Sequence, residues 1–322
     1  MAFVLATQHA HADDLRLALW HVALSRDGPG LLLRDLHVPD QDLLQVAEAI
    51  RRADVDVLVL TQIDFDALGT SLAALSDLVS DGHRYVLPLA SNAGRPTGHD
   101  IDGDGRLGEP EDSHAYGLFP GQKASGILSR FPIDVERVEN FNDLLWRDIP
   151  GTNLTDTDAA ADIQRLSAGG HWIVPILIDG ESSDRTLNLL IGHAGAPVFD
   201  GPEDRNGRRN LDELRLWTMI LDGRLGTGLG RPWVFMANTN LDPERGEGYR
   251  RAMAEFLSAP LLSDPLAGQV SAHWDDPGPM RVSYLLPSAE LLTGDAQVWP
   301  ALPGQWHSLI TVDIALPDLA LP

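Results

Sequence analysis

Short apolar runs bounded by turn residues recur along the chain, each of strand length. On that pattern Leu15–Ala23, Val55–Gln62, Tyr85–Leu89, Ser125–Ser129, Val135–Asn140, His171–Ile178, Thr186–His193, Trp233–Asn238, Val282–Leu286 and Ser308–Ile314 are predicted strands. Residues Gln41–Ala53, Ser71–Ser80, Leu211–Leu225 and Tyr249–Leu257 are predicted helices. In the first of these, Leu43, Leu44, Val46, Ala47 and Ile50 form one apolar stripe, with Asp42, Glu48, Arg51 and Arg52 largely off it. Such a stripe belongs to a helix that covers one face of a sheet. Strands interleaved with one-sided helices, without an obvious repeat, predict an α/β fold with a two-sheet sandwich and helices outside.

Composition adds limits to this picture. A chain of 322 residues with 43% hydrophobic content can bury a large core, and no linker-like break divides it. Residues 13–322 are therefore expected to form one domain. Lys plus Arg total 24 against 47 Asp plus Glu, a formal net charge of -23. That balance disfavours duplex nucleic acid as a partner, because sequence-independent affinity for it comes from neutralising phosphates. It also suits solubility in a salty or extracellular medium. With no cysteine, disulfides and thiolate metal sites are excluded. No run is long and apolar enough to span a bilayer.

Residues Ala2–Ala12, AFVLATQHAHA, end in the small-x-small pattern that signal peptidase reads, but the apolar stretch is short and lacks a basic flank. Residues 1–12 read as a signal-peptide remnant or as a flexible N-terminus; a start codon inside a longer signal peptide is a third reading. A signal would make the protein periplasmic or secreted, with the cytoplasm as the alternative. The sequence carries no reading of oligomeric state.

Candidate chemistry centres on Pro232–Pro243, PWVFMANTNLDP, an apolar strand running into Asn238-Thr239-Asn240. Leu15–Ser25 (LRLALWHVALS), Asp56–Asp64 (DVLVLTQID) and Pro120–Ile133 (PGQKASGILSRFPI) precede it. Leu187–Asp200 (LNLLIGHAGAPVFD) also lies before it, and Arg281–Ser288 (RVSYLLPS) and His307–Ile314 (HSLITVDI) follow it. In that order these segments resemble the motifs of the endonuclease/exonuclease/phosphatase family, whose fold is that of pancreatic deoxyribonuclease. The resemblance spans residues 15–315 and implies a four-layer α/β/β/α sandwich of two mixed, mainly antiparallel sheets. It also implies phosphoester hydrolysis by a carboxylate-held divalent cation, with a histidine protonating the leaving oxygen.

Position by position, the resemblance implies a substituted site. His21 stands where the first strand has Asn, and Gln62 where the second has a metal-binding Glu. Asn238 replaces the Asp that orients water in Gly-Asp-x-Asn, with Ala237 in place of the Gly. Ser283 replaces the Asp of Arg-x-Asp-Tyr, and Trp306 the Asp before the terminal His. Hard cations such as Mg2+ and Mn2+ want charged oxygens, so neutral donors at these positions would bind them poorly. The retained positions are His193, Asn240 and His307.

Three functions follow as alternatives. One is a phosphoesterase scaffold with weakened or lost hydrolysis and a retained cleft for a small phosphate-containing ligand. Another is an active hydrolase in which His21, Gln62 and Asn238 form an altered site with a softer metal such as zinc, which an imidazole ligand permits. The third is a calcium-stabilised binding module for a protein or glycan. The only lysine, Lys123, is either an anion contact beside the altered metal site or an exposed hairpin residue.

A second motif stands apart from the first. Asp100–Glu111, DIDGDGRLGEPE, matches the twelve-residue calcium loop, with carboxylates from Asp100, Asp102, Asp104 and Glu111, a backbone carbonyl from Arg106, and Gly105 at the sharp turn. Arg95-Pro96-Thr97-Gly98 before it and Pro110 within it predict a calcium-bound surface loop in an insertion near 92–118. After His193, the segment Val198–Leu211 reads as a loop ending in Asn210 as a helix N-cap, or as a source of Arg205, Arg208 and Arg209 for an anion. Thr152–Asp162 reads as a flexible excursion.

Overall fold

The computed structural model describes residues 14–80, 82–181 and 185–316. Residues 1–12, read above as a signal remnant or flexible terminus, lie outside them. Strands β1 (Asp14–His21), β2 (Val57–Ile63), β3 (Tyr85–Leu89), β4 (Ala124–Ser129), β12 (Leu292–Val298) and β13 (Ile310–Ala315) form one sheet in the order β12-β13-β1-β2-β4-β3. Strands β5 (Glu139–Asn140), β6 (Gly170–Leu177), β7 (Thr186–His193), β8 (Trp233–Asn238) and β11 (Ser283–Pro287) form a second, ordered β11-β8-β7-β6-β5. A small ribbon pairs β9 (Ala272–His273) with β10 (Pro279–Met280). Within the two large sheets β1 runs parallel to β2 and β7 parallel to β8, and the remaining neighbours are antiparallel.

Alternation along the strands builds the layers, because successive side chains point to opposite faces. In β1, Leu15, Leu17 and Leu19 enter a central core with Leu187, Leu189 and Ile191 of β7 and Val234 and Met236 of β8. The opposite face of β1, through Ala18 and Trp20, packs with residues of α1 (Leu31–His37), α2 (Gln41–Ala53) and α3 (Thr70–Val79). On the other side Leu190, Trp233 and Phe235 pack with α4 (Arg205–Leu221) and α5 (Arg250–Leu257). The result is the four-layer α/β/β/α sandwich. No helix among the described residues is long and apolar enough to cross a membrane.

Several elements depart from expectation. The predicted strand Val135–Asn140 begins as a 3-10 turn at Val135–Arg137, capped by the Asp134 side chain on the Arg137 N–H, and only Glu139–Asn140 pairs. Helix α4 starts at Arg205, so Asn210 is inside the helix and is not its N-cap. The short α1 follows Gly28-Pro29-Gly30, which reads as loop, and β12 is an edge strand without apolar alternation.

Candidate functional site

Strand parity gathers the predicted residues at one end of the sandwich. His21 follows Leu15, Leu17 and Leu19 in alternation on β1, His193 follows Leu187, Leu189 and Ile191 on β7, and Asn238 follows Val234 and Met236 on β8. All three end their strands on the face between the sheets. Register aligns His193 with Asn238 and Asn238 with Ser283, and sets His21 beside Thr61. His307 arrives just before β13; its ring centroid lies 4.2 Å from that of His21, which is 5.0 Å from that of His193. Trp274 meets the His307 ring edge-on at 5.1 Å.

Gln62 and Lys123 reach this end through irregular backbone. Pairing of β2 with β4 breaks between Thr61 and Ile63, opposite Ala124, and Gln62 sits there at φ 66°. Lys123, beside it before β4, has φ 53°, and so does Asn240. Left-handed conformations in non-glycine residues cost energy, and three of them at one end of the fold mark a site that surrounding structure enforces.

The polar groups bond chiefly to one another. The Asn238 amide nitrogen lies 3.0 Å from both His21 Nδ1 and Asn240 Oδ1, and Asn238 Oδ1 accepts from Ser283 Oγ at 3.4 Å. Asn240 Nδ2 donates to the Ala194 carbonyl at 2.8 Å, and Thr61 Oγ1 lies 2.8 Å from His21 Nδ1. Where the resemblance expects a carboxylate, an amide N–H group therefore faces His21. Nδ1 of His193 and Nδ1 of His307 are buried without hydrogen-bond partners. Among the described residues no carboxylate is hydrogen-bonded to either ring, and Trp306, in the position of the expected Asp, is 64% exposed.

Burial shifts the three imidazoles of this site toward their neutral forms. His193 is pushed down to about 3 and His307 to about 4, chiefly by desolvation, while His21 is held well below the ordinary value by desolvation and then by His307 and His193. Lys123 contributes repulsion to both His21 and His193, and burial lowers its own pKa.

Sequence reasoning missed the polar face of α4 that braces this site. The buried Glu213 carboxylate accepts from the Ala168 N–H at 2.7 Å and from the Gly195 N–H at 2.8 Å. Asn210 Nδ2 donates to the carbonyls of Gly195 and Thr239, each at 2.8 Å. Arg209 donates to the carbonyls of Leu166, Arg165 and Ser167. Between these anchors Gly169 lies so close to His193 that an added Cβ would stand 2.3 Å from Nδ1.

The arginines considered for an anion are engaged by the protein. Arg209 is buried among carbonyls, Arg208 bonds both oxygens of Asp158, and Arg205 donates to Gln164 Oε1 at 3.1 Å. The Thr152–Asp162 segment is tied down through Asp158 and through Asn153, which bonds Asp212 with both its backbone and side-chain nitrogens. The signal for α4 was present as an amphipathic pattern starting before Leu211, hidden by its charged first turn.

The acidic loop lies in the insertion. Asp100, Asp102 and Asp112 present carboxylate oxygens within 4.8 Å of one another, and Asp104 and Glu111 are not in that group. Pro110 opens a 3-10 turn over Pro110–Asp112, which carries Asp112 inward. Asp112 then accepts from the N–H groups of Ile101 and Gly108, each at 2.8 Å. Arg106 contacts Glu109 at 3.3 Å through its side chain. A separate cavity of about 610 Å³ opens beside the opposite ends of β7 and β8, lined by residues including Thr186, Asn188 and Pro232, and holds none of the site residues.

A four-layer sandwich with histidine and asparagine at strand ends between its sheets is a phosphoesterase scaffold. The chain belongs to the endonuclease/exonuclease/phosphatase family, whose model matches residues 38–305. It resembles an endonuclease/exonuclease/phosphatase from Beutenbergia cavernae (17% identity, TM-score 0.60, covering 94% of this chain and 72% of that one). It also resembles a mannosyl-6-phosphatase from Bacteroides thetaiotaomicron (10% identity, TM-score 0.52, 94% and 100%). A third similar structure is a sphingomyelinase C from Streptomyces griseocarneus (15% identity, TM-score 0.50, 93% and 99%). At these identities the likeness is one of fold. No curated protein matches the chain.

Proposed function

We propose that this chain is a phosphoester-recognising member of its family whose cleft binds a phosphate-bearing ligand with metal-dependent hydrolysis lost or strongly weakened. One observation carries this reading: Asn238 turns an amide nitrogen toward His21 and Asn240 at the position where the family resemblance expects the water-orienting carboxylate. Gln62 and Ser283 likewise offer neutral donors, so the set does not fit Mg2+ or Mn2+, which prefer charged oxygens. An altered-metal hydrolase has less support. Among the described residues, the three imidazoles form no group whose ligand atoms all lie within 4.8 Å.

A generic phosphodiester assay under a metal series tests the proposal. Wild-type protein is expected to show no appreciable turnover with Mg2+ or Mn2+, and the combined Gln62→Glu, Asn238→Asp, Ser283→Asp variant to gain activity. Magnesium-dependent turnover by wild type comparable to that of an active relative would end the proposal. For the insertion we propose Ca2+ as a structural ion at Asp100, Asp102 and Asp112, supported by their shared geometry. Such an ion and the acidic composition suit a periplasmic or secreted protein.

A further inference from the structure

Lys123 is the only lysine in a chain of net charge -23, and its backbone lies at the site end of the sandwich: it precedes Ala124, which pairs with Ile63 next to Gln62, and Thr61 on that strand lies beside His21. Among the described residues it forms no ion pair, although nearby cations find carboxylates: Arg26 with Asp35, Arg281 with Asp264. Its ammonium group instead lies 4.7 Å from the centre of the Tyr116 ring and 3.5 Å from the Tyr116 carbonyl oxygen. The half-buried side chain springs from a left-handed residue whose N–H donates to Ser25 Oγ at 3.1 Å. An ammonium held by one aromatic face and one carbonyl, with no carboxylate, keeps donors open to an anion.

We propose that Lys123 is the anchor of a metal-independent phosphate site: its ammonium supplies the charge and the neighbouring imidazoles of His21 and His193 supply hydrogen bonds. The proposal rests on the phosphate-cleft reading above and names the ligand class, a phosphomonoester or free phosphate. An ammonium is a compact point charge with three donors, of which the Tyr116 contacts occupy one side. A monoester carries roughly -1.5 to -2 charge at neutral pH, more than a diester, so a single fixed cation favours it. Neutral imidazoles can donate to such an anion without a carboxylate partner.

Calorimetry with chelator present is the first test, with inorganic phosphate, glucose 6-phosphate and dimethyl phosphate as titrants at low salt. Wild-type protein is expected to bind the first two more tightly than the diester, Lys123→Met to weaken binding at least tenfold, and Lys123→Arg to fall between. Labelling with an amine reagent is the second and needs no variant. Phosphate is expected to slow modification of Lys123, mapped by mass spectrometry, while the N-terminal amine reacts at an unchanged rate. Equal binding by wild type and Lys123→Met, or no protection of Lys123, overturns the anchor and leaves the cleft reading standing. Diester binding as tight as that of glucose 6-phosphate overturns the monoester assignment. Absence of binding by any titrant overturns the cleft reading too, and binding that requires added Mg2+ overturns the metal-independent site.

Discussion

Proton linkage at single histidines gives the site a pH signature. His193 and His171 are both lowered to about 3 and His307 to about 4, each first by desolvation, so the native state binds these protons less readily than the unfolded chain does. Their contribution to stability is present above the unfolded value near 6.5 and is lost as pH falls toward the folded values. Urea midpoints measured from pH 7 down to pH 4.5 are expected to decline steadily, and His171→Gln to flatten the decline. A midpoint that stays level over that range in the Glu213→Gln variant, where no buried glutamate opposes the decline, would show that the rings are not held neutral. The gathering of His193, Asn238 and His307 at one end of the sandwich was legible because motif order marks strand ends. Thr61 and Gly169 were not, since they act through contacts that only the folded chain makes.

Helix α4 links the fold to the site. Replacing Glu213 by Ala would leave the buried N–H groups of Ala168 and Gly195 without an acceptor and Arg209 without its charge partner, a loss of roughly 3–5 kcal/mol. Chemical denaturation reads the loss directly; a change under 1 kcal/mol would mean that the helix does not brace these segments. Burial also raises Glu213 to about 7, which contributes stability at low pH that is lost as pH rises through that value. Glu213→Gln removes this opposing effect, so its midpoint should fall more steeply on acidification than that of wild type. Sequence periodicity located α2 from Gln41 to Ala53, where Leu43, Val46, Ala47 and Ile50 are buried while Leu44 of the predicted stripe is exposed. It placed α4 late, because Arg205, Arg208, Arg209, Asp212 and Glu213 look like a solvated face until their partners in other segments are known.

Across the whole molecule, the layer order was legible from alternating strands and one-sided helices, whereas edge strand β12 carries no such pattern. A structural ion in the insertion would act at this scale, since a ligand bound only by the native state raises its stability by mass action. Melting with saturating Ca2+ should exceed melting with chelator by several degrees, and Asp102→Ala or Asp112→Ala should erase the gap. An equal melting temperature in both conditions, with no heat of binding, would remove calcium from the loop.

The parallel pairs β1–β2 and β7–β8 carry one more consequence. Read outward, β13-β1-β2-β4-β3 and β11-β8-β7-β6-β5 share the same succession of antiparallel, parallel, antiparallel and antiparallel neighbours. The two sheets are thus topological twins without a visible sequence repeat. In that correspondence His21 at the end of β1 is the counterpart of Asn238 at the end of β8, and these are the side chains that meet across the seam at 3.0 Å. The seam belongs to neither twin and exists only where the halves dock, so under the proposed phosphate reading ligand affinity would double as a gauge of how faithfully one sheet seats on the other.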